Sequence, residues 1–202
     1  MTRLILASAS PARLRTLQAA GVYPEVVVSG VDESAVIADR AETVCLTLAR
    51  LKAEAVAAGI TVPALVLGCD SVLDFDGEIL GKPADVAEAR SRWRRMRGRS
   101  GTLHTGHSLV DTVSGKVAEE VAGTTVHFAD ITDAEVEAYL ATGEPLQVAG
   151  AFTIDGLGGW FLDGIEGDAG NVIGVSLPVL RRLLAEHDVL VPDLWADRPA
   201  VQ

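Results

Sequence analysis

Short apolar runs alternate along this chain with segments whose apolar positions recur every three or four residues, the pattern of strands alternating with helices. Residues 4–7, Leu-Ile-Leu-Ala, form one such run and predict a strand buried on both faces. Ser10 then stands where an N-cap is wanted, and Pro11 takes the first helical position, where its missing N–H costs nothing. The helix runs through Leu14 and Leu17 to a stop at Gly21. Residues 25–29 predict a second strand, followed by the acidic loop Val31-Asp32-Glu33-Ser34. Asp39 and Glu42 have the spacing of a capping box for a long helix ending at Gly59, with Val44, Leu48, Leu51 and Ala55 as its apolar stripe.

The second half adds hairpins. Residues 64–75 read as extended, and Asp76-Gly77 is a turn that returns the chain through Glu78-Ile79-Leu80. Residues 85–96 are helical. Residues 102–113 and 116–128 are two long strands joined at Ser114-Gly115. Thr132 and Glu135 make a capping box for a helix reaching Leu140. The span 143–174 holds nine glycines and short strands around Phe152 and Trp160, and a last helix over 177–185 precedes a Pro-containing tail. Helices alternating with strands and hairpins predict an α/β fold, a mixed sheet with flanking helices. Without an internal repeat or a dividing linker, residues 1–202 read as a single domain.

Composition narrows the class of protein. With 49% hydrophobic and 22% charged residues, the chain is an ordinary globule. Aromatics are only 4%, which predicts a core of Ala, Val and Leu. The net charge of −11 argues against nucleic-acid or membrane surfaces as partners, because both are bound through a lysine and arginine excess. A small polyphosphate remains compatible, provided basic groups are local and a divalent cation offsets the rest. Cys45 and Cys69 have no metal-like spacing and read as small core residues in a reducing compartment. The apolar stretch at the N-terminus is too short for a signal peptide and no run approaches a membrane span, so a cytoplasmic protein is expected.

Four segments carry candidate chemistry. Asp70 in Gly68-Cys69-Asp70-Ser71 follows the apolar run 64–67, where a strand is expected to end at the rim of a sheet. An aspartate disfavours the extended stretch that continues beyond it unless something uses its charge. Glu33 could share a divalent cation with it, since Mg²⁺ takes a few carboxylates and leaves its other positions to water and phosphate. Ser8-Ala9-Ser10-Pro11-Ala12-Arg13 opens a helix, whose free N–H groups and positive dipole end suit phosphate. A plain helix cap with Arg13 in solvent accounts for the same pattern. Lys52 borders the apolar stripe of its helix, either snorkelling past it or aiming its ammonium into a cleft. Lys82 follows in Gly81-Lys82-Pro83. The arginines at 90, 92, 94, 95, 97 and 99 make a dense basic stretch that reads mostly as solvated surface, with Arg99 within reach of a phosphate. His104 and His107 are three apart on a strand and face opposite sides, a weak metal motif.

Taken in order, these segments resemble the Maf family of nucleoside triphosphate pyrophosphatases. The resemblance rests on Leu6-Ala7-Ser8-Ala9-Ser10-Pro11, Asp32-Glu33, Lys52, Gly68-Cys69-Asp70-Ser71, Ile79-Leu80-Gly81-Lys82-Pro83, Gly98-Arg99, residues 139–144, Ala149-Gly150-Ala151-Phe152 and Asn171-Val172-Ile173-Gly174. It implies two lobes around a central nucleotide cleft, as in Maf and inosine-triphosphate pyrophosphatases. The implied reaction takes a nucleoside triphosphate to monophosphate and pyrophosphate with Mg²⁺ or Mn²⁺, in a cytoplasmic homodimer that clears non-standard or surplus nucleotides. By position, Asp70 matches the proton acceptor and, with Glu33, the metal-binding pair. Ser8, Arg13, Lys52 and Lys82 match phosphate-binding positions, and Ala12, Ser71 and Asp155 match positions associated with base choice. Three departures stand out: Ala12 where the family usually has an arginine, Val148 for a lysine, and Asp155 for a glutamine. The family's older name also suggests an alternative, a nucleotide-binding regulator of cell division with little turnover.

Overall fold

A computed structural model describes residues 2–197, with the side chains of residues 196 and 197 left aside; Met1 and residues 198–202, the end of the expected tail, lie outside them. The elements are β1 (Leu4–Leu6), α1 (Pro11–Ala19), β2 (Glu25–Val26), α2 (Ala41–Ala57), β3 (Leu65–Phe75), β4 (Glu78–Leu80), α3 (Val86–Met96), β5 (Ser100–Asp111), β6 (Val117–Phe128), α4 (Asp133–Ala141), β7 (Leu162–Glu166), α5 (Ala169–Ile173) and α6 (Leu177–Glu186). The strands form one mixed seven-stranded sheet in the order β2-β1-β3-β5-β6-β7, with β4 paired to β3. β1 runs parallel to β2 and β3, while β3 and β4, and β6 and β7, are antiparallel. Among the described residues, no helix is long and apolar enough to cross a membrane.

The described chain divides into two compact units. One takes the residues up to Asp70, Thr105–Ala122 and those from Gly174 onward; the other is Ser71–His104 with Gly123–Ile173. In the first, β1 lies between two parallel neighbours and is buried throughout, which is why its sequence is uninterruptedly apolar. Leu4 and Leu6 pack with Leu17, Leu67, Val179 and Leu183, and Ile5 and Ala7 pack on the other side with Ala53, Val56 and Val66. The expected core of Ala, Val and Leu holds here. It does not hold in the second unit, which gathers all four phenylalanines of the chain around Trp93 and Tyr139. Trp93 meets Phe128, Tyr139 and Phe161 edge-on at ring separations of 5.5–6.1 Å, and its indole N–H donates to Ala151 O at 2.7 Å. A low aromatic count limits how many rings a chain has, not how they are clustered.

Several expected elements move. The strand predicted over 25–29 is only Glu25–Val26, an exposed pair at the sheet edge. The capping box of Asp39 and Glu42 does not form: Arg40 takes the N-cap position without a side-chain cap, which leaves Glu42 one position short of the box and paired with Arg40 instead. The buried face of α2 is Ala41, Val44, Cys45, Leu48, Ala49, Lys52, Ala53 and Val56, whereas Leu51 and Ala55 are exposed. The stripe therefore passes through Lys52 rather than beside it. The short strands expected around Phe152 and Trp160 are absent; three separate 3-10 turns, Glu144–Gln147, Ala149–Ala151 and Leu157–Phe161, take that span, and the strand follows as β7. The Asp76-Gly77 turn, with φ of 55° and 78°, and the Thr132–Glu135 capping box form as expected.

Candidate active site

The first unit brings five of the expected residues together. Ser8 is buried just beyond β1, and its Oγ accepts from Ser10 N at 3.2 Å and from Arg13 Nη1 at 3.0 Å. Ser10 caps α1 through Arg13 N, and Pro11 begins the helix as the pattern predicts. The second edge of the Arg13 guanidinium is also held: Nε donates to Gly174 O at 2.8 Å. Gly174 has φ of +117°, and a Cβ on it would come within 2.9 Å of Arg13 Nε. Arg13 is thus not loose in solvent beyond a plain cap.

Lys52 and Asp70 form the centre. Lys52 Nζ lies 2.5 Å from Asp70 Oδ1 and 2.6 Å from Glu33 Oε1. The Lys52 and Asp70 side chains are 9% and 10% exposed, against 55% for Glu33, so one ammonium joins a buried carboxylate to an exposed one. Glu33 opens a 3-10 turn, Glu33–Ala35, that Asp32 caps by accepting from Ser34 N at 3.0 Å. Asp70 is the sixth of the eleven residues of β3 and does not sit at a strand end as expected. Its extended backbone is tolerated because the charge is used. Burial pushes the Asp70 carboxyl above the ordinary aspartate range, opposed by the cations of Lys52 and Arg13. Beside it, Cys69 is buried and its thiol is pushed up to about 11, again chiefly by burial. Cys45 is pushed up to about 12, so both cysteines are inert core residues.

The second unit holds Ser71, Lys82 and Asp155. Ser71 is half-buried in β3, and Lys82 is exposed just after β4, between Gly81 and the buried Pro83. Asp155 is exposed in a loop that Glu144 ties down at Leu157 and Gly158. Glu144 accepts from Tyr139 Oη at 3.0 Å, Thr153 Oγ1 at 2.5 Å, Leu157 N at 3.1 Å and Gly158 N at 3.0 Å. Burial would raise its carboxyl, but these donors hold it below the ordinary range. Ala12, in the first unit, is half-buried as the second residue of α1.

The arginine run is mostly surface, as expected, with Arg92 the exception and each member ion-paired. Arg90, Arg94, Arg95, Arg97 and Arg99 pair with Glu137, Asp133, Glu78, Asp133 and Asp76, and Arg92 is buried against Glu88. Arg99, the arginine within expected reach of a phosphate, also lies over the Phe75 ring at 4.8 Å. His107 is fully buried and accepts from Ser176 N through Nε2 at 2.8 Å. Among the described residues, no three His, Cys, Asp or Glu side chains converge to hold a metal. Gly68, Glu144 and Arg92 were given no role of their own in the sequence. Only Gly68 carried a local signal, since a glycine inside an apolar strand marks a close approach.

A family model described as Maf-like protein matches residues 3–187. Curated relatives named nucleoside triphosphate pyrophosphatase share 64% identity in Salinispora tropica, over 96% of this chain and 88% of the relative, and 59% in Streptomyces coelicolor, over 96% and 95%. The relative of that name in Mycobacterium marinum is 50% identical over 98% of this chain and 99% of its own. A solved Mycobacterium abscessus structure titled nucleoside-triphosphatase / dITP/XTP pyrophosphatase gives a TM-score of 0.41 at 18% identity, over 64% of this chain and 74% of that chain, too distant to carry an argument. Since the match takes in every element from β1 to α6, and identity extends over nearly the full length, the chain belongs to the Maf-like protein family.

Proposed function

We propose that this protein is a metal-dependent nucleoside triphosphate pyrophosphatase, hydrolysing a nucleoside triphosphate to the monophosphate and pyrophosphate, and that it clears non-standard or surplus nucleotides in the cytoplasm as a homodimer. The relatives' shared name supports the reaction class. The observation that carries the residue roles is the buried Asp70, bonded to Lys52 and under the charge of Arg13. A carboxyl raised by burial is a better proton acceptor than an exposed one, which suits it to take the proton of the attacking water. Arg13 and Ser8, at the N-terminus of α1, receive phosphoryl oxygens, as does Lys82. Lys52 keeps Asp70 and Glu33 oriented until substrate arrives.

Glu33 and Asp70 are the residues that would hold the divalent cation. Their donor set fits: both offer hard carboxylate oxygens, and their common pairing with the Lys52 ammonium supports a pair that accommodates positive charge. Two carboxylates are too few for a closed protein cage, so phosphate oxygens complete the shell. When bound, the cation offsets charge on the phosphoryl oxygens.

A panel of nucleoside triphosphates with Mg²⁺, Mn²⁺ or excess chelator, scored separately for pyrophosphate and orthophosphate, tests the reading. Pyrophosphate as first product, lost on chelation, is expected. Orthophosphate as first product, or turnover that survives chelation, overturns it.

A further inference from the structure

Arg92 is buried where the other arginines of its run are not. Its side chain is 8% exposed, whereas the other arginines between 90 and 99 are 29–51% exposed. Taking a guanidinium out of water costs stability, and its Nε has no hydrogen-bond partner among the described residues. An apolar residue at this point of α3 would pack at lower cost, so the interactions Arg92 does make deserve a purpose.

Those interactions converge on the segment that carries Lys82. Arg92 Nη1 donates to Gly81 O at 2.6 Å, and Nη2 donates to Glu88 Oε1, one helical turn back. The other oxygen of Glu88 accepts from Ala84 N at 2.7 Å, while Asp85 fixes Glu88 by accepting from its backbone N at 2.8 Å. One ion pair therefore grips the carbonyl before Lys82 and the amide after Pro83. Gly150 N gives the Gly81 carbonyl a second donor at 3.1 Å. Pro83 fixes its own φ and restricts the residue before it to extended backbone. The result is an exposed lysine on an anchored base, with less freedom to lose when an anion is bound.

We propose that Glu88 and Arg92 form a clip that positions Lys82 for the triphosphate, Arg92 being a positioning residue that acts through Lys82. This rests on Lys82 binding substrate phosphate, as proposed above. If the clip is absent the ammonium wanders, and misplacement by about 1 Å can cost up to about 10²-fold in rate.

Arg92→Met keeps side-chain length and suits a buried site. It is compared with Arg92→Lys and Glu88→Gln, each in wild-type and Lys82→Ala backgrounds, by kcat, KM and thermal midpoint. Lys82→Ala is expected to lower kcat/KM. Arg92→Met should lower it about 10–100-fold, mainly through KM, with Arg92→Lys recovering part of the loss. In the Lys82→Ala background Arg92→Met should add less than about 2-fold, because the group it positions is gone. Equal losses in both backgrounds, or an Arg92→Met that lowers the midpoint and leaves kcat/KM alone, overturn the clip. Should Arg92→Met not fold, Arg92→Lys and Glu88→Gln carry the same comparison. If Lys82→Ala alone leaves kcat/KM unchanged, Lys82 does not bind phosphate; that is the failure of the site reading, and the clip's purpose falls with it.

Discussion

A Cβ placed on Gly68 would lie 2.1 Å from the carbonyl oxygen of Ala49. Helix α2 therefore rests on bare strand backbone, with Ala53 N at 2.8 Å from the same point. Gly106 in β5 repeats the arrangement, its Cβ position falling 2.4 Å from Cys45 O. Residues two apart in a strand share a face, so Asp70 points the same way as Gly68. Lys52 lies between Ala49 and Ala53 in the helix, and this close approach brings its ammonium to Asp70.

Gly68→Ala should thus damage stability and site together. Overpacking of this kind costs about 1–3 kcal/mol, and the displaced partner here is backbone that cannot rotate away. Thermal melting and kcat/KM are the measurements. A variant with the wild-type midpoint would show that α2 does not need the bare backbone.

Asp70→Asn should fold and stop turning over. Losing a general base costs about 10²–10⁴ in rate. The fold tolerates the change because Lys52 retains Glu33, and because burial already disfavours the Asp70 charge. A folded Asp70→Asn protein with near-normal turnover removes Asp70 from the mechanism.

His107 makes stability pH-dependent. Burial, then the charge of Arg13, push its pKa down to about 4 from an ordinary 6.5, and Ser176 N already occupies Nε2. The unfolded chain therefore takes up the proton first. Stability from this group is full above pH 6.5 and is lost as pH falls from 6.5 towards 4, by about 3 kcal/mol at 1.36 kcal/mol per unit. His107→Gln keeps an acceptor but does not titrate. Denaturant unfolding between pH 4 and 7.5 should give a flatter profile below pH 6.5 for the variant; parallel profiles would sink the assignment.

Asp155 should read the base. Ionised, it only accepts, so it pairs with edges that present N–H donors, as guanine and cytosine do, and disfavours a carbonyl at the same point. Asp155 is exposed in the free protein, so the discrimination depends on bound substrate taking it out of water; a polar mismatch then costs on the order of 1–3 kcal/mol, enough to reorder substrates. The measurement is kcat/KM across common and modified triphosphates for the wild type and Asp155→Gln. An unchanged order of preference would mean that Asp155 does not contact the base.

Local signals sufficed wherever the cause was local. The buried β1, the Ser10-Pro11 start of α1, the Asp76-Gly77 turn and the Thr132–Glu135 box are each decided by a few adjacent residues, and each formed as the sequence predicts. The candidates Ser8, Arg13, Glu33, Lys52 and Asp70 were legible as residue types placed after strands or on a helix. What the sequence could not reveal were the long-range terms. Helical spacing puts Lys52 at the border of its stripe; a carboxylate 18 residues away lets it lie within the buried face itself. Arg92 belongs to a basic stretch read mostly as solvated surface, and only its contacts to Gly81 and Glu88 set it apart. A buried charge is stable only with its partner, and tertiary structure alone decides which partner is within reach.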